Sequence, residues 1–282
     1  MKKRRFGPLP DEVPIVGQGT WQMAEGRDNA TEIAALRAGI ARGLTHIDTA
    51  EMYGDGRAEK LIAEAIRGIP RRDLFIVSKV LPQNASHAGT LRACEKTLHR
   101  LGTDHLDVYL LHWRGRFPLA ETLGALEELI DQGKIRALGV SNFDVDDLEE
   151  ARGLLRKHPI ACNQVLYHLG ERHIDADLVP YCAKHDIAVV GYSPFGHGRF
   201  PAASRAGGKA LAVVAARHHA TPRQVALAFL ARKPPLFTIP KASTIAHAEE
   251  NAGALNLTLS AGDLAEIDAA FPIRAGDSLP II

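Results

Sequence analysis

The sequence lacks the features that mark several large classes of protein. It holds only three cysteines, Cys94, Cys162 and Cys182, which are widely spaced and form no C-x-x-C pair. This argues against a disulfide framework and against a cysteine zinc site. No apolar run approaches the roughly 20 residues that a membrane helix requires. The basic start lacks the apolar stretch of a signal peptide, so we expect a cytoplasmic protein that does not contact a membrane.

An excess of charge of one sign is also missing. Lys and Arg total 34 and Asp and Glu total 33, which leaves a net charge of +1 and no broad basic field to attract nucleic acid. The 46% share of hydrophobic residues is enough for a core and excludes a disordered chain. With no linker in the chain, residues 1–282 are predicted to form a single domain.

Several motifs of nucleotide-binding and metal-binding proteins are absent. The run Gly17–Gly19 does not continue into G-x-G-x-x-G, which argues against a Rossmann dinucleotide site. The segment Gly191–Phe195 starts like a nucleophile elbow but lacks its closing glycine. None of the 13 histidines lies in H-E-x-x-H, and we expect no metal site.

What the sequence does contain is a regular alternation of short apolar strands with segments of helical period. The eight strand candidates are Val16–Gly19, Thr45–Thr49, Phe75–Val80, Leu106–His112, Ala137–Ser141, Cys162–Leu166, Ala188–Tyr192 and Phe237–Pro240. Several are apolar on both faces, as buried parallel strands are. Eight βα units predict a closed (β/α)8 TIM barrel, with a doubly wound open sheet as the alternative. We also expect an N-terminal β-hairpin that closes the barrel bottom, and extra C-terminal helices.

Capping residues and glycines predict several helix boundaries. Thr31 is predicted to cap the first helix and Gly43 to end it. Pro118 is predicted to be the first residue of a later helix, and Ser260 to open a capping box. The segment Phe195–Lys209, rich in small residues and proline, is predicted to be a long loop.

Polar residues end three consecutive predicted strands. Asp48, Lys79 and His112 each follow an apolar run, and Tyr53 lies just beyond the first of them. Taken singly, each has an ordinary structural role, such as a helix cap or a solvated charge at the rim. Together they lie where barrels carry their chemistry, at the C-terminal ends of strands. Burying Lys79 beside Asp48 costs several kcal/mol per ion, so a chemical role explains the pair better than stability does.

Longer runs of the sequence resemble the aldo-keto reductase family. The run Gly43–Gly54 with Glu59 is similar to the family's first signature. Later segments follow in the family's order: Leu110–Trp113, Gly139–Asn142, Asn163–Val165, Tyr192–Pro194 and Ile239–Lys241. The likeness spans nearly the whole chain and is closest to short bacterial members that reduce methylglyoxal or 2,5-diketo-D-gluconate. It implies an NADP-dependent enzyme that transfers hydride between a nicotinamide cofactor and a small carbonyl substrate, without a metal.

The resemblance implies a role for each strand-end residue. Tyr53 is the general acid; because a free tyrosine has a pKa of ~10, it gives up its proton reluctantly, and Lys79 lowers this barrier by stabilising the phenolate. Asp48 keeps Lys79 charged, and a neutral His112 orients the carbonyl by a hydrogen bond. Two alternatives stay open: a nicotinamide-nucleotide-sensing regulatory subunit with little turnover, and a Schiff-base lyase with Lys79 as nucleophile. The second requires a neutral lysine, which Asp48 opposes.

The resemblance also implies a set of cofactor contacts. Ser141, Asn142 and Gln164 match groups that bind the nicotinamide carboxamide, and Tyr192 matches an aromatic that stacks on the nicotinamide ring. The other expected cofactor positions are Gly19, Thr20, Trp21, Asp48, Ser193, Pro194, Phe195, Lys241, Ala242, Ser243, Thr244, His247, Glu250 and Asn251.

One position departs from the pattern of the NADP-specific members. His247 stands where many of them have Arg, and histidine is a weaker, pH-dependent phosphate ligand. We still expect NADPH to be preferred, because Lys241 supplies a cation, and NAD remains possible. The substrate pocket is expected to comprise Trp21, Met52, Tyr53, His112 and Trp113, with a short loop after His112 that leaves it open to small polar carbonyls. We expect a monomer.

Overall fold

The computed structural model describes residues 1–26, 28–273 and 279–281. An antiparallel hairpin of β1 (Lys3–Arg5) and β2 (Glu12–Pro14) comes first, as predicted. Eight parallel strands then follow in consecutive order: β3 (Gln18–Gly19), β4 (His46–Asp48), β5 (Phe75–Val80), β6 (Leu106–Leu111), β7 (Ile135–Ser141), β8 (Ile160–Leu166), β9 (Ala188–Tyr192) and β10 (Leu236–Thr238). Each predicted strand is present, and β5 and β9 have the predicted bounds.

The sheet closes on itself between its first and last strands. Parallel bridges join Val16 to Thr238 and Gly19 to Lys241. Between them, the Gly17 N–H donates to the Thr238 carbonyl at 2.8 Å. A Cβ at Gly19 would lie 2.7 Å from the backbone oxygen of residue 239, so a side chain there would force the seam apart. The closed (β/α)8 barrel is therefore confirmed, and the open sheet is excluded.

Helices surround the barrel on its outer face. Those among the described residues are α1 (Asn29–Ala41), α2 (Arg57–Ala65), α3 (His87–Leu101), α4 (Leu119–Asp131), α5 (Val145–Leu154), α6 (Leu178–Lys184), α7 (Ala206–Arg217), α8 (Pro222–Leu230), α9 (Ile245–Gly253) and α10 (Ala261–Ala270). Two exceed the eight of the barrel: α7, inserted before α8, and α10, after the last barrel helix. Within the described ranges, no helix is both long enough and apolar enough to cross a membrane.

The first helix begins earlier than its predicted cap. Asp28 caps α1, and its carboxylate accepts hydrogen bonds from the Ala30 N–H and the Thr31 hydroxyl. The prediction of Thr31 as the cap was therefore wrong, because an equally good capping residue lies three positions upstream. Gly43 has φ +92° just beyond the helix end, which confirms the predicted stop.

Two later boundaries also shift by a few residues. Pro118 is the capping residue before α4 and not its first helical residue, since its ψ of 130° is extended. The predicted loop at 195–209 ends sooner, because α7 begins at Ala206. The capping box at Ser260 is confirmed by reciprocal hydrogen bonds with Asp263.

Alternation along the strands aims particular side chains into the barrel. Phe75 and Val77 of β5 belong to the apolar cluster that fills the barrel interior, and Lys79 continues the same face. Ile76 and Val80, on the other face, pack in the cluster beneath the helices. The inner face of the strands is thus apolar at the bottom and polar only where it reaches the top.

His46 is an exception in the barrel floor. Its ring is fully buried and lies edge-on to Phe6, Phe75 and Phe237, with ring centroids 5.5–6.4 Å apart. Neither ring nitrogen has a hydrogen-bond partner. Burial lowers the pKa of His46 to about 4, although Asp48 and Asp107 oppose the shift. The imidazole therefore stays neutral in the folded protein at pH values where it is protonated in the unfolded chain.

We expect His46 to make the fold acid-sensitive. As pH falls below ~6.5, the pKa of histidine in the unfolded chain, His46 becomes protonated in the unfolded chain. In the folded protein the same ring stays neutral until the pH approaches its lowered pKa. About 2 kcal/mol of stability is lost between about pH 7 and about pH 5. His46→Leu should remove this part of the pH dependence in urea unfolding. His99→Leu, at an exposed position of α3, is the control for loss of a histidine outside the barrel floor. Equal slopes in wild type and His46→Leu would contradict the assignment to His46.

Candidate active site

The three predicted residues Asp48, Lys79 and Tyr53 meet at the top of the barrel. The Lys79 ammonium donates to Asp48 Oδ1 at 2.7 Å, to the Thr49 carbonyl at 2.7 Å and to the Tyr53 hydroxyl at 3.3 Å. All of these side chains are buried, and that of Lys79 is completely so. The ammonium thus has three acceptors for its three protons, one of them a full counter-charge.

A turn with an unusual backbone fixes the tyrosine. Gly54, Asp55 and Gly56 follow Tyr53 with φ values of +56°, +54° and +79°. Such a run favours glycine, and Asp55 adopts it without being one. The Gly54 N–H donates to a carboxylate oxygen of Glu25 at 2.9 Å, which ties the turn to the loop after β3.

Glu59 holds the elements behind the site together. This residue of α2 is buried and accepts a hydrogen bond from the Ser78 hydroxyl at 2.8 Å. Its other oxygen is paired with the Arg100 guanidinium of α3. Because Ser78 directly precedes Lys79, this ion pair steadies the strand that carries the lysine. The residue was noticed in the sequence only as part of the family signature.

His112 faces the tyrosine as a neutral ring. Its centroid lies 5.9 Å from that of Tyr53, at an interplanar angle of 76°. Burial, together with the nearby Lys79 cation, lowers the pKa of His112 to about 2. An imidazole in this position can donate or accept a hydrogen bond without gaining charge.

The electrostatics keep the tyrosine protonated and the lysine charged. Burial raises the pKa of Tyr53, and the opposing effect of Lys79 does not cancel it. Burial disfavours the charge on Lys79, but Asp48 and Tyr53 outweigh it, so the pKa of this lysine is raised. The phenol is therefore available as a proton donor. A protonated Lys79 does not suit the Schiff-base alternative, which needs a free amine.

A second group of predicted residues lies across the barrel mouth from β4. Asn142, at φ +61°, donates to the His112 carbonyl and to the Ser141 hydroxyl, both at 3.2 Å. Its side-chain oxygen accepts from the Tyr192 hydroxyl at 2.9 Å. Gln164 Nε2 donates to Asp48 Oδ2 at 2.7 Å. Residues of β7, β8 and β9 are thereby connected to the residues around Lys79.

These residues line one cavity of about 860 Å³. The predicted positions on its wall are Gly19, Thr20, Trp21, Asp48, Met52, Tyr53, His112, Trp113, Ser141, Asn142, Gln164, Tyr192, Ser193, Pro194, Phe195 and Lys241. The predicted positions outside that wall are Lys79, which is completely buried, and Ala242, Ser243, Thr244, His247, Glu250 and Asn251. Of these, Thr244 caps α9 by accepting from the His247 N–H, Asn251 is buried, and His247 is exposed.

The cavity wall also holds residues that the sequence reasoning missed. They are Gln22, His197, Gly198, Ile239 and Ile281. His197 stacks on Trp21, with ring centroids 4.9 Å apart, and so joins the loop after β9 to the loop after β3. The only trace of this in the sequence is the pair of glycines that flank His197 inside the predicted loop.

Arg114, in the loop after β6, is engaged in ion pairs. Its guanidinium contacts Asp147 at 2.5 Å and Glu150 at 2.7 Å, both on α5. It therefore anchors the loop that carries Trp113 and is not free to bind a substrate anion. No cluster of three His, Cys, Asp or Glu side chains in the described part of the chain could hold a metal ion.

Comparison with known proteins places this geometry in a family. The model of the aldo/keto reductase family matches residues 16–271. The chain belongs to that family. It is 49% identical over 269 residues to the methylglyoxal reductase YeaE of Escherichia coli K12, covering 94% of this chain and 93% of that protein. It is 36% identical to a glyoxal reductase of Bacillus subtilis, covering 92% and 89%.

Solved structures of the family have the same fold. An aldo-keto reductase from Klebsiella pneumoniae in complex with NADPH superposes with a TM-score of 0.91 at 45% identity and covers 100% of this chain and 99% of that one. A putative 2,5-diketo-D-gluconic acid reductase B gives a TM-score of 0.82 at 32% identity, covering 95% and 93%. The likeness of this aldo/keto reductase to its relatives thus extends over the whole barrel.

Because Asp48 and Lys79 form a buried ion pair, we expect substitutions of the two residues to have strongly non-additive effects on the free energy of unfolding. Asp48→Asn or Lys79→Met alone should cost about 3–5 kcal/mol, because each leaves one uncompensated charge in the barrel. The double variant should cost less than the sum, since no isolated charge remains. Urea unfolding of the four proteins measures this coupling. Additive losses would show that the two charges do not interact in the folded protein.

Proposed function

We propose that this aldo/keto reductase uses NADPH to reduce small aldehydes and ketones, with methylglyoxal-like or keto-sugar compounds as substrates. The observation that carries the proposal is the protonated, buried Tyr53 hydroxyl bonded to the Lys79 ammonium at the mouth of the barrel. Support for the substrate class comes from the relatives, which reduce methylglyoxal and glyoxal by name.

The residues of the cavity fit a nicotinamide nucleotide. Gln164 uses its amide nitrogen on Asp48, which leaves its carbonyl oxygen for the amino group of a carboxamide. Tyr192 is held by its hydroxyl against Asn142, so its ring is a fixed wall. Ser193, Pro194 and Phe195 continue the wall in the next loop, and Lys241 supplies a cation farther along. When bound, the cofactor supplies the hydride.

Proton transfer then depends on the residues of this chain. Negative charge grows on the carbonyl oxygen as the carbon is reduced, and Tyr53 gives that oxygen its proton. Lys79 stabilises the phenolate that Tyr53 becomes, and Asp48 keeps Lys79 charged and in place. The neutral His112 ring donates a hydrogen bond that orients and polarises the carbonyl.

The cavity walls suit a small substrate. Trp21 and Trp113 present flat apolar surface, and Met52 is partly exposed at the rim. The ion pairs of Arg114 hold the short loop of Trp113 against α5, which limits how far this wall can move. We propose that these side chains contact the substrate carbon chain while Tyr53 and His112 contact its carbonyl oxygen.

Tyr53→Phe tests the acid directly. With methylglyoxal and NADPH, kcat should fall by about 10²–10⁴-fold, because the proton donor is lost while the shape of the ring remains. NADPH binding, followed by the quenching of tryptophan fluorescence, should stay close to wild type. A variant that keeps most of its activity would rule out Tyr53 as the acid.

The same measurements separate an enzyme from a nucleotide sensor. A regulatory subunit would bind NADPH stoichiometrically in the wild type and show negligible turnover across a panel of aldehydes and ketones. We expect turnover, since Asp48, Tyr53 and His112 line the cavity and Lys79 lies buried behind them, bonded to Asp48 and Tyr53.

We expect that replacing the exposed His247 with arginine strengthens the preference for NADPH over NADH. His247→Arg places a permanent bidentate cation in the segment expected to hold the adenosine phosphate. The ratio of the NADPH and NADH affinities should rise by about tenfold, and NADH binding alone should not change. Titration of both cofactors measures this. His247→Gln is the control for side-chain bulk without full charge; an equal rise in NADH affinity would place the effect elsewhere.

We also propose that the protein acts as a monomer in the cytoplasm, without a membrane or nucleic-acid partner. The balanced charge of the sequence supports the absence of a nucleic-acid partner, because it offers no broad basic field. Light scattering coupled to size exclusion tests the oligomeric state.

A further inference from the structure

Asp48 has a second partner that the reaction scheme does not use. Its Oδ1 accepts from Lys79, and its Oδ2 accepts from Gln164 Nε2 at 2.7 Å. Both Asp48 and Gln164 are almost completely buried. Only the nitrogen of an amide can donate to a carboxylate, so the orientation of the Gln164 side chain is fixed by its partner. The two residues come from β4 and β8, on opposite sides of the barrel.

We propose that Gln164 is a positioning residue for the Asp48–Lys79 pair, and that it couples the carboxamide end of the cavity to the acidity of Tyr53. The proposal deepens the proposed function and rests on it for its kinetic readouts. Each oxygen of the buried carboxylate has one donor, so the carboxylate cannot rotate without losing a hydrogen bond.

Loss of the Gln164 donor would act on Tyr53 through Lys79. A carboxylate freed at Oδ2 would rotate to bring both oxygens toward the ammonium. Of the three hydrogen bonds made by Lys79, the one to Tyr53 is the longest at 3.3 Å, against 2.7 Å for the other two. It is the first to be lost as the ammonium moves toward Asp48. The phenolate of Tyr53 would then lose its stabilising cation.

Among the groups around Tyr53, Lys79 is the one whose charge stabilises the phenolate. Lys79 from β5 lowers the pKa of Tyr53, and Asp48 from β4 raises it. His112, after β6, faces the tyrosine as a neutral ring because burial and the Lys79 cation lower the pKa of this histidine to about 2. On β8, burial raises the pKa of the Cys162 thiol, which therefore stays protonated beside Asp48.

The first test needs no cofactor and no turnover. The titration of Tyr53 is read as the difference in phenolate ultraviolet absorbance between each protein and its Tyr53→Phe counterpart. In Gln164→Met, which keeps the length of the side chain but has no donor, the titration of Tyr53 should move to higher pH. Ser141→Ala is the matched control, because it removes another predicted carboxamide ligand that does not touch Asp48. Its Tyr53 should titrate as in wild type.

Kinetics with methylglyoxal and NADPH give the second readout. Gln164→Met should lower kcat about tenfold, the size of a lost hydrogen bond to a charged group. It should also move the alkaline limb of the kcat profile in the same direction as the absorbance titration. Ser141→Ala should raise the KM for NADPH and leave the pH profile of kcat in place. If Gln164→Met caused only a structural defect, neither the absorbance titration of Tyr53 nor the pH profile of kcat would move.

Gln164→Glu provides a conservative rescue. While protonated, the new carboxyl can donate to Asp48 Oδ2 as the amide does, and the neighbouring carboxylate favours this protonated form. Its kcat should match wild type at low pH and approach that of Gln164→Met at high pH. If Gln164→Met fails to fold by circular dichroism, this variant alone carries the test.

The outcomes separate the two proposals. Absence of turnover in the wild type would overturn the reductase function, and the absorbance titration would still decide the role of Gln164. Unchanged titration of Tyr53 in Gln164→Met, or an equal change in Ser141→Ala, would overturn the positioning role while leaving the reductase intact.

Discussion

A lysine buried at the mouth of a barrel is the constraint around which this structure is arranged. Its ammonium would cost several kcal/mol without partners, and it has three: the Asp48 carboxylate, the Thr49 carbonyl and the Tyr53 hydroxyl. The carboxylate is in turn held by Gln164 from the far side of the barrel. A charge pair of this kind is a poor source of stability, so the chemical role proposed for it beside Tyr53 explains its presence better.

The surrounding elements limit the movement of that pair. Ser78 beside the lysine is bonded to Glu59, which is paired with Arg100, so β5, α2 and α3 are joined behind the site. The turn after Tyr53 has three consecutive residues with positive φ. Below the pair, the barrel interior is filled by apolar side chains, with the neutral His46 ring as the exception. The polar chemistry is confined to the top layer of side chains.

Much of this could be predicted from the sequence, because alternation and strand ends are local properties. The runs before Asp48, Lys79 and His112 are apolar, and a parallel barrel brings their ends to one rim. Helix starts were less certain where two good caps stand close together, as Asp28 and Thr31 do. The site roles came from the family resemblance and not from the local pattern, since each residue alone has an ordinary structural explanation.

The sequence by itself determined the number of strands, their order and the residue types at the barrel mouth, because these follow from periodicity and composition. Only the tertiary structure decided which atoms meet. The contact between Gln164 and Asp48 joins residues 116 positions apart, and the stack of His197 on Trp21 joins two loops that no pattern relates. The neutrality of His112 and the charge of Lys79 were likewise decided by burial and neighbours, which exist only once the barrel has closed.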